Sequence, residues 1–336
     1  MQRALGWRHA LADAANFDRG LTPADGDAVL DLAALRELSP YGLVAMACLA
    51  AHNDRLLIPT RVVPPTNPQA TAELMAAGFG FVVREFLCPV VGPPLPLPIA
   101  GGRAAAGRGA EPLAAGSLPS GSLAYGPLAA GVRGRRAPVA PPPAVVLQPV
   151  HDAFEESAVA ETAESSLAAT VGAARLALLV EALRDLGENR RRHAGSFDAY
   201  VAAAVVDGGR RGPLVELAVG DSGVGLRASL EGAPTDDAGA IDQVLASSNG
   251  ALATLAARIA AEGGTVVVRT GDARHTVCPT GTVRARVPWL RGTVVAVSLP
   301  ADVLGIAEPA AGGADTGGAA GLPRPEAAGL RVAGRR

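Results

Sequence analysis

Residues 183–193 read L-R-D-L-G-E-N-R-R-R-H, and residues 219–226 read V-G-D-S-G-V-G-L. The first stretch ends a segment with helical apolar periodicity, and the second ends an apolar run that is typical of a strand. In each stretch an aspartate is followed within four residues by an asparagine or by glycines, which suit close contact with a ligand. Their order, with about 30 residues between them, predicts one binding site built from a helix and a strand end.

The helical stretch contains an acid and an amide on one face. Asp185 and Asn189 are four residues apart, so a helix over 167–193 places both side chains on the same side. An amide oxygen is a hard ligand that suits Mg²⁺, and a carboxylate one turn earlier can orient or deprotonate a water. The alternative is that both are polar residues on a solvated helix face. The run R-R-R at 190–192 is predicted to be a solvated face that complements the helix dipole.

The strand stretch ends in a second acid. Asp221 follows the apolar run and offers a fixed acceptor for an exocyclic amine such as that of adenine. Gly223 and Gly225 allow the backbone to approach a ligand closely. The alternative is an ordinary tight turn, because D-S-G is common turn sequence. The ordered combination with Asp185 and Asn189 favours a nucleotide-binding fold.

These motifs resemble the N box and the first glycine box of the histidine-kinase-like ATPases, also called GHKL or Bergerat-fold ATPases. Two further stretches extend the resemblance over residues 143–302. They read G-G-T-V-V-V-R-T-G at 263–271 and G-T-V-V-A-V-S-L-P at 292–300, and both match the family's closing strands.

The resemblance implies a site for ATP and Mg²⁺. In the family pattern the metal ligand falls on Asn189, the catalytic base on Asp185 and the adenine acceptor on Asp221. The remaining nucleotide contacts fall on residues of the N box, the glycine boxes and the closing strand, namely His193, Gly223, Gly225, Gly250 and Thr293.

The chain departs from the family pattern in ways that bear on catalysis. The N-box acid is Asp185 where the family has Glu, and misplacing a general base by about 1 Å can cost about a hundredfold in rate. The second glycine box, usually G-x-G-L, reads S-N-G-A-L at 248–252. The helix expected after it, 252–262, can still receive phosphate at its N-terminus. Because the chain contains no lysine, the nearest cationic phosphate partners are Arg227 and Arg258.

Composition excludes several classes of protein. The net charge of −2 provides no electrostatic footprint for nucleic acid. No apolar run reaches the roughly 18–20 residues that cross a bilayer, and the first residues lack the pattern of a signal peptide. The three cysteines are widely spaced, which indicates reduced thiols. These features predict a cytoplasmic protein without a membrane partner.

Residues 1–91 are predicted to form a small α/β unit. It weakly resembles STAS domains, the modules of anti-sigma-factor antagonists, through L-D-L-A-A-L at 30–35 and G-L-V-A-M-A-C-L-A-A at 42–51. An unrelated α/β unit is the alternative. The elements expected in it are helices at 39–51 and 68–78, with Ser39 as the first N-cap, and strands at 28–35, 55–63 and 79–83.

The rest of the chain divides by composition. Residues 92–142 and 306–336 are dense in Pro, Gly and Ala, and they are predicted to be a disordered linker and a disordered tail. Residues 143–305 are the predicted histidine-kinase-like ATP-binding domain, a two-layer α/β sandwich with helices on one face of one sheet. Residues 231–249 are its expected ATP lid. The expected strands lie at 145–150, 200–206, 214–219, 265–269 and 293–299.

Three functions are compatible with this organisation. The first is an ATP-binding regulatory protein similar to the serine kinases that act as anti-sigma factors, with a sigma factor or STAS-type antagonist as partner. The second is a degenerate, non-catalytic ATP-binding or interaction module. The third is a fragment of a sensor histidine kinase, which the lack of phosphoacceptor helices before residue 150 disfavours. ATP hydrolysis, serine/threonine kinase activity and homodimer formation stay open.

Overall fold

A computed structural model of the chain describes residues 28–33, 35, 38–58, 60–86, 145–195, 199–207, 212–232, 234–248 and 250–301. The predicted linker at 92–142 and the predicted tail at 306–336 lie outside these ranges, so both stay predictions. Within the described ranges, no single helix is long and apolar enough to cross a membrane. One bent helix pair, Asp237–Ala246 with Ala251–Ala261, meets that test by length and composition.

The N-terminal segment contains two short strands and three helices. They are β1 (Ala28–Asp31), α1 (Pro40–Arg55), β2 (Thr60–Val63), α2 (Pro68–Ala76) and α3 (Phe79–Glu85). The two strands pair in parallel. Ser39 caps α1 as predicted, because its hydroxyl accepts a hydrogen bond from the backbone N–H of Gly42.

The strand predicted at 79–83 is wrong, since these residues belong to α3. Gly78 has a φ of 93° and turns the chain from the end of α2 directly into a new helix. A short apolar run has no periodicity that separates a strand from a buried helix, which explains the error.

The C-terminal segment builds one five-stranded sheet and five helices within the described residues. The elements are β3 (Val145–Val150), α4 (Ala153–Leu167), α5 (Ala173–His193), β4 (Ala199–Asp207), β5 (Pro213–Asp221), α6 (Leu226–Ser229), α7 (Asp237–Ala246), α8 (Ala251–Ala261), β6 (Thr265–Cys278) and β7 (Gly281–Pro300). The sheet order is β3-β4-β5-β7-β6, and every neighbouring pair is antiparallel. The mixed α/β class is confirmed.

Several elements differ in length from their predictions. The strand predicted at 55–63 is shorter, since α1 extends to Arg55 and β2 begins at Thr60. Helix α5 begins at Ala173, after a break that separates it from α4. Strands β6 and β7 are longer than predicted, and they pair as a hairpin between residues 265–278 and 281–298. The extra pairing follows polar and apolar alternation at 283–290, a pattern typical of a half-buried strand.

The sheet carries helices on both faces. Helices α4, α5, α7 and α8 contribute to one hydrophobic cluster with one set of sheet residues. Helix α1 contributes to a second cluster with the alternate set, which includes Tyr200, Ala218 and Val294. The described helices α4, α5, α7 and α8 thus pack on one face of the sheet, and α1 of the N-terminal segment packs on the other. Strand β5 is almost continuously apolar, which is typical of a strand covered on both faces.

A buried acid joins α1 to the sheet. Glu216 of β5 is fully buried, and its Oε1 accepts a hydrogen bond of 2.8 Å from the backbone N–H of Tyr41 in the first turn of α1. Burial raises the pKa of Glu216 to about 7, although the Tyr41 hydrogen bond opposes the shift. The N-terminal helix is therefore docked on the sheet through a carboxyl group whose charge depends on pH.

Candidate functional site

A cavity of about 340 Å³ lies between the end of β5, the part of β7 around Thr293, and α5, with α7 and α8 beside it. This volume is within the range of small-molecule binding sites. Most of its wall is apolar, and its aliphatic side chains include Leu186, Val219, Leu226, Leu230, Val244, Leu252 and Val295. An apolar wall with a few polar groups suits a flat, partly aromatic ligand held by directed hydrogen bonds.

Six of the eight predicted site residues line this one cavity. They are Asn189, His193, Asp221, Gly225, Gly250 and Thr293. They come from four separate parts of the sequence, and the antiparallel pairing of Asp221 with Thr293 brings two of them side by side. The other two, Asp185 and Gly223, are not among the lining residues.

Asp221 is the buried acid of the cavity, with only 6% of its surface exposed. Burial raises the pKa of Asp221 to about 6. Backbone N–H groups of Gly223 and Thr293 oppose that shift, as do Arg190 and Arg55, because each favours the charged carboxylate. The group is therefore an ionised hydrogen-bond acceptor above about pH 6 and gains a proton below it.

The segment after β5 is tied to the end of α5. We name residues 221–226 the glycine loop. The backbone N–H of Val224 donates to the carbonyl oxygen of Ala194 at 2.9 Å, and a Cβ atom on Gly223 would lie 2.0 Å from that same oxygen. A residue without a side chain is therefore required at Gly223 for close contact between the two backbones. Contact of Gly223 with a nucleotide stays a prediction.

Replacement of Gly223 with Ala is expected to lower the free energy of unfolding by about 2 kcal/mol or more, since the contact is with backbone and cannot relax by side-chain rotation. Chemical denaturation measures the change. Gly263→Ala is the matched control, because Gly263 has a φ of 75° but no atom within 4 Å of an added Cβ. It should cost only about 1 kcal/mol, from backbone conformation alone. Equal costs for the two variants would contradict the close-contact argument.

Thr270 fastens the other end of the glycine loop. Its hydroxyl is buried, donates to the carbonyl oxygen of Gly292 at 2.9 Å and accepts from the N–H of Leu226 at 3.1 Å. Thr270 falls within the closing-strand motif at 263–271, and no role was predicted for it. The available signal was a hydroxyl directly before a glycine, after the apolar run V-V-V at 266–268.

Arg190 is a second residue whose place the sequence analysis missed. It was predicted to be solvated, but it is buried and lines the cavity. Its Nη2 lies 2.9 Å from Oε1 of Glu156 on α4, and Glu156 also pairs with Arg191. The prediction was wrong because α4 supplies a buried carboxylate that accepts the charge.

Asp185, the predicted catalytic base, is half-buried on α5 one turn before Asn189. Burial raises the pKa of Asp185, nearby Glu181 and Glu188 raise it further, and Arg258 opposes them. The two predicted phosphate partners are engaged elsewhere: Arg258 pairs with Glu181, and Arg227 donates to the carbonyl oxygen of Pro234.

The predicted lid segment contains helix α7 and forms part of the cavity wall through Gln243 and Val244. The hairpin of β6 and β7 holds this helix at two points. Oδ2 of Asp237 accepts the N–H of Asp272 at 3.1 Å, and Asp242 pairs with Arg284 at 2.9 Å. The wall formed by α7 therefore depends on contacts that lie outside the cavity itself.

Comparison of the chain with protein-family models, with curated proteins and with solved structures finds no match. The resemblance to histidine-kinase-like ATPases therefore stays a prediction from the sequence motifs.

Proposed function

We propose that this protein binds ATP with Mg²⁺ in the cavity, through a Bergerat-type site, and acts as a regulatory or signalling protein. One observation carries the proposal: residues predicted from two separate motifs, Asn189 and Asp221, line the same cavity together with Thr293 and two glycines. Unrelated turns and helix faces have no physical reason to converge in this way.

In this proposal the adenine ring lies against the aliphatic wall. Its exocyclic amine donates to the Asp221 carboxylate, which two backbone N–H groups already orient. A hydrogen bond to an ionised acceptor is roughly twice as strong as one between neutral groups, so this contact supplies the base specificity. Thr293 lies beside it on β7, as the strand register requires.

Asn189 would hold the metal. Asn189 lines the cavity, and its amide oxygen is the kind of hard ligand that would suit a magnesium ion. The ion supplies charge neutralisation for the phosphates when it is bound. Phosphate would approach the N-terminus of α8, where Gly250 and Ala251 border the cavity.

A non-catalytic ATP-binding or interaction module is the second candidate function. It is favoured by Asp185, which is not among the cavity-lining residues, and by the engagement of Arg258 with Glu181. Transfer of phosphate to a regulatory protein, such as a sigma factor or a STAS-type antagonist, would need both groups to reach the nucleotide. Binding is therefore the part of the proposal with the stronger support.

The test is titration of the whole chain with ATP by calorimetry, with and without Mg²⁺. We expect binding with a micromolar dissociation constant that weakens when Mg²⁺ is removed. Asn189→Ala should weaken binding of ATP·Mg²⁺ by about tenfold or more, equivalent to at least about 1.4 kcal/mol, and should leave adenosine binding unchanged.

Glu188→Gln is the control, because Glu188 is an exposed neighbour on the same helix. An absence of ATP binding by the unaltered chain would sink the proposed function. If Asn189→Ala weakened ATP and adenosine binding equally, Asn189 would not be the metal ligand. The assignment of Asp221 to adenine would be unaffected.

A further inference from the structure

The C-terminal end of α1 reaches the glycine loop. Nη1 of Arg55 donates to the carbonyl oxygen of Ser222 at 3.2 Å. The next carbonyl oxygen along the chain, that of Gly223, accepts from Nε of Arg291 at 3.1 Å. Two consecutive carbonyl groups of the loop thus each accept a hydrogen bond from an arginine. The two arginines, Arg55 and Arg291, lie far apart in the sequence.

Further contacts place α1 along the strands that carry the cavity residues. A Cβ atom on Gly220, directly before Asp221, would lie 2.6 Å from Cγ1 of Val44. Near the other end of the helix, the ring of His52 packs edge-on against Trp289 of β7, with 5.5 Å between ring centroids. Helix α1 therefore contacts both β5, which ends in Asp221, and β7, which carries Thr293.

The position of Arg55 also has an electrostatic effect on the cavity. Its guanidinium is one of the charges that oppose the raised pKa of Asp221. Arg190 also lowers the pKa of Asp221, and it lies on α5, on the face of the sheet opposite to α1. A cation near this acid favours its ionised form, which is the form that accepts a hydrogen bond from an amine.

We propose that Arg55 is a positioning residue for the nucleotide site, through which the N-terminal segment raises the affinity of the cavity for ATP. This inference rests on the proposed function. Arg55 holds the glycine loop in its binding conformation before the ligand arrives, so that less conformational entropy is lost on binding. Because α1 is remote in sequence from the loop, any partner that displaces α1 would lower nucleotide affinity. The N-terminal segment is then an activating element in cis.

The test compares Arg55→Ala, Arg55→Lys and Arg84→Ala in the whole chain by calorimetry with ATP·Mg²⁺. Arg55→Ala should weaken binding by about fivefold to tenfold. Arg55→Lys should recover part of the loss, since an ammonium group can donate to the same carbonyl oxygen. Arg84→Ala is the matched control, because it removes an equal charge from an exposed position in the N-terminal segment.

Two further readouts separate positioning from general stability. The pH at which ATP affinity is half lost should move upward in Arg55→Ala, because Asp221 loses a nearby cation. Backbone amides of residues 222–226 should exchange hydrogen faster in that variant without nucleotide, whereas amides in α4 should not change.

The outcomes distinguish this inference from the proposed function. ATP binding by the unaltered chain, with unchanged affinity and unchanged loop exchange in Arg55→Ala, would overturn the inference alone. An unaltered chain that does not bind ATP would overturn the proposed function, and the claim about affinity with it. Should Arg55→Ala fail to fold, Arg55→Met replaces it, because it also removes the charge and the donors while keeping a long side chain. Unchanged affinity, pH midpoint and loop exchange in that variant would overturn the inference.

Discussion

Replacement of Asp221 with Asn should make the protein more stable above pH 7 while it removes most of the affinity for ATP. The carboxyl group is buried, and burial raises its pKa from the ordinary value of 3.8 to about 6. Asn has nearly the same shape and never carries the charge. Its side-chain oxygen can still accept the N–H of Gly223, which donates to Oδ1 of Asp221 at 2.8 Å.

The direction of the pH dependence follows from the two pKa values. Below about pH 3 the carboxyl group is protonated in both the folded and the unfolded chain. As the pH rises from about 3 towards 6, the unfolded chain ionises first, so the free energy of unfolding falls. Above pH 7 this loss of stability is complete, at about 3 kcal/mol for a shift of about two pKa units. Asp221→Asn should therefore be more stable than the unaltered protein by about 3 kcal/mol at pH 8 and should match it near pH 3.

The loss of ATP affinity has a separate cause. Asn replaces an ionised acceptor with a neutral amide, so the hydrogen bond from adenine loses its charge assistance, and a drop of about tenfold to a hundredfold is expected. Denaturation between pH 3 and pH 8, with calorimetry at pH 7.5, measures both effects. Asp54→Asn, at an exposed position on α1, is the control for each. Reduced stability at pH 8, or full ATP affinity, would contradict the assignment of Asp221.

Glu216→Gln should raise the free energy of unfolding by about 3 kcal/mol at pH 8, because burial raises the pKa of Glu216 from 4.5 to about 7. The unfolded carboxyl group ionises near pH 4.5, so the unaltered protein loses stability as the pH rises from there through 7. Gln keeps an oxygen that accepts the N–H of Tyr41 at the start of α1. Near pH 4 the two proteins should have equal stability.

Denaturation at several pH values tests this prediction, with Glu85→Gln at an exposed position of α3 as the control. ATP affinity provides a second check. Glu216 is not a cavity-lining residue, so its replacement should leave nucleotide binding unchanged at pH 7.5, unlike that of Asp221. A stability gain at pH 8 that persists undiminished at pH 4 would mean that packing, and not charge, is the cause.

Much of the local structure could be predicted from sequence. The N-cap at Ser39, the helical period before His193 and the apolar runs of β4, β5 and β7 are properties of neighbouring residues, and the structure has the corresponding elements. Prediction of secondary structure was less accurate where the neighbouring residues suit more than one conformation. Helix α3 was mistaken for a strand because five apolar residues suit either conformation when they are buried.

The candidate site, too, could be predicted only in part from the sequence. Motif spacing identified residues that line one cavity, among them Asn189 and Asp221, because a helical period and a strand end are written in short stretches of sequence. ATP as the ligand stays a prediction. Motif spacing carried no information on which residues hold the glycine loop, since Thr270 and Arg55 reach it from 44 and 167 residues away.

The sequence by itself determined most of the elements, the cap at Ser39 and the residue types available to a ligand, since these depend on neighbours within a few turns. Only the tertiary structure decided that α1 covers the second face of the sheet, that Gly223 meets the backbone of Ala194, and that the carboxyl groups of Asp221 and Glu216 are buried. Burial and close contact are set by residues far apart in the chain. The charges of Asp221 and Glu216 near neutral pH are therefore properties of the fold and not of any motif.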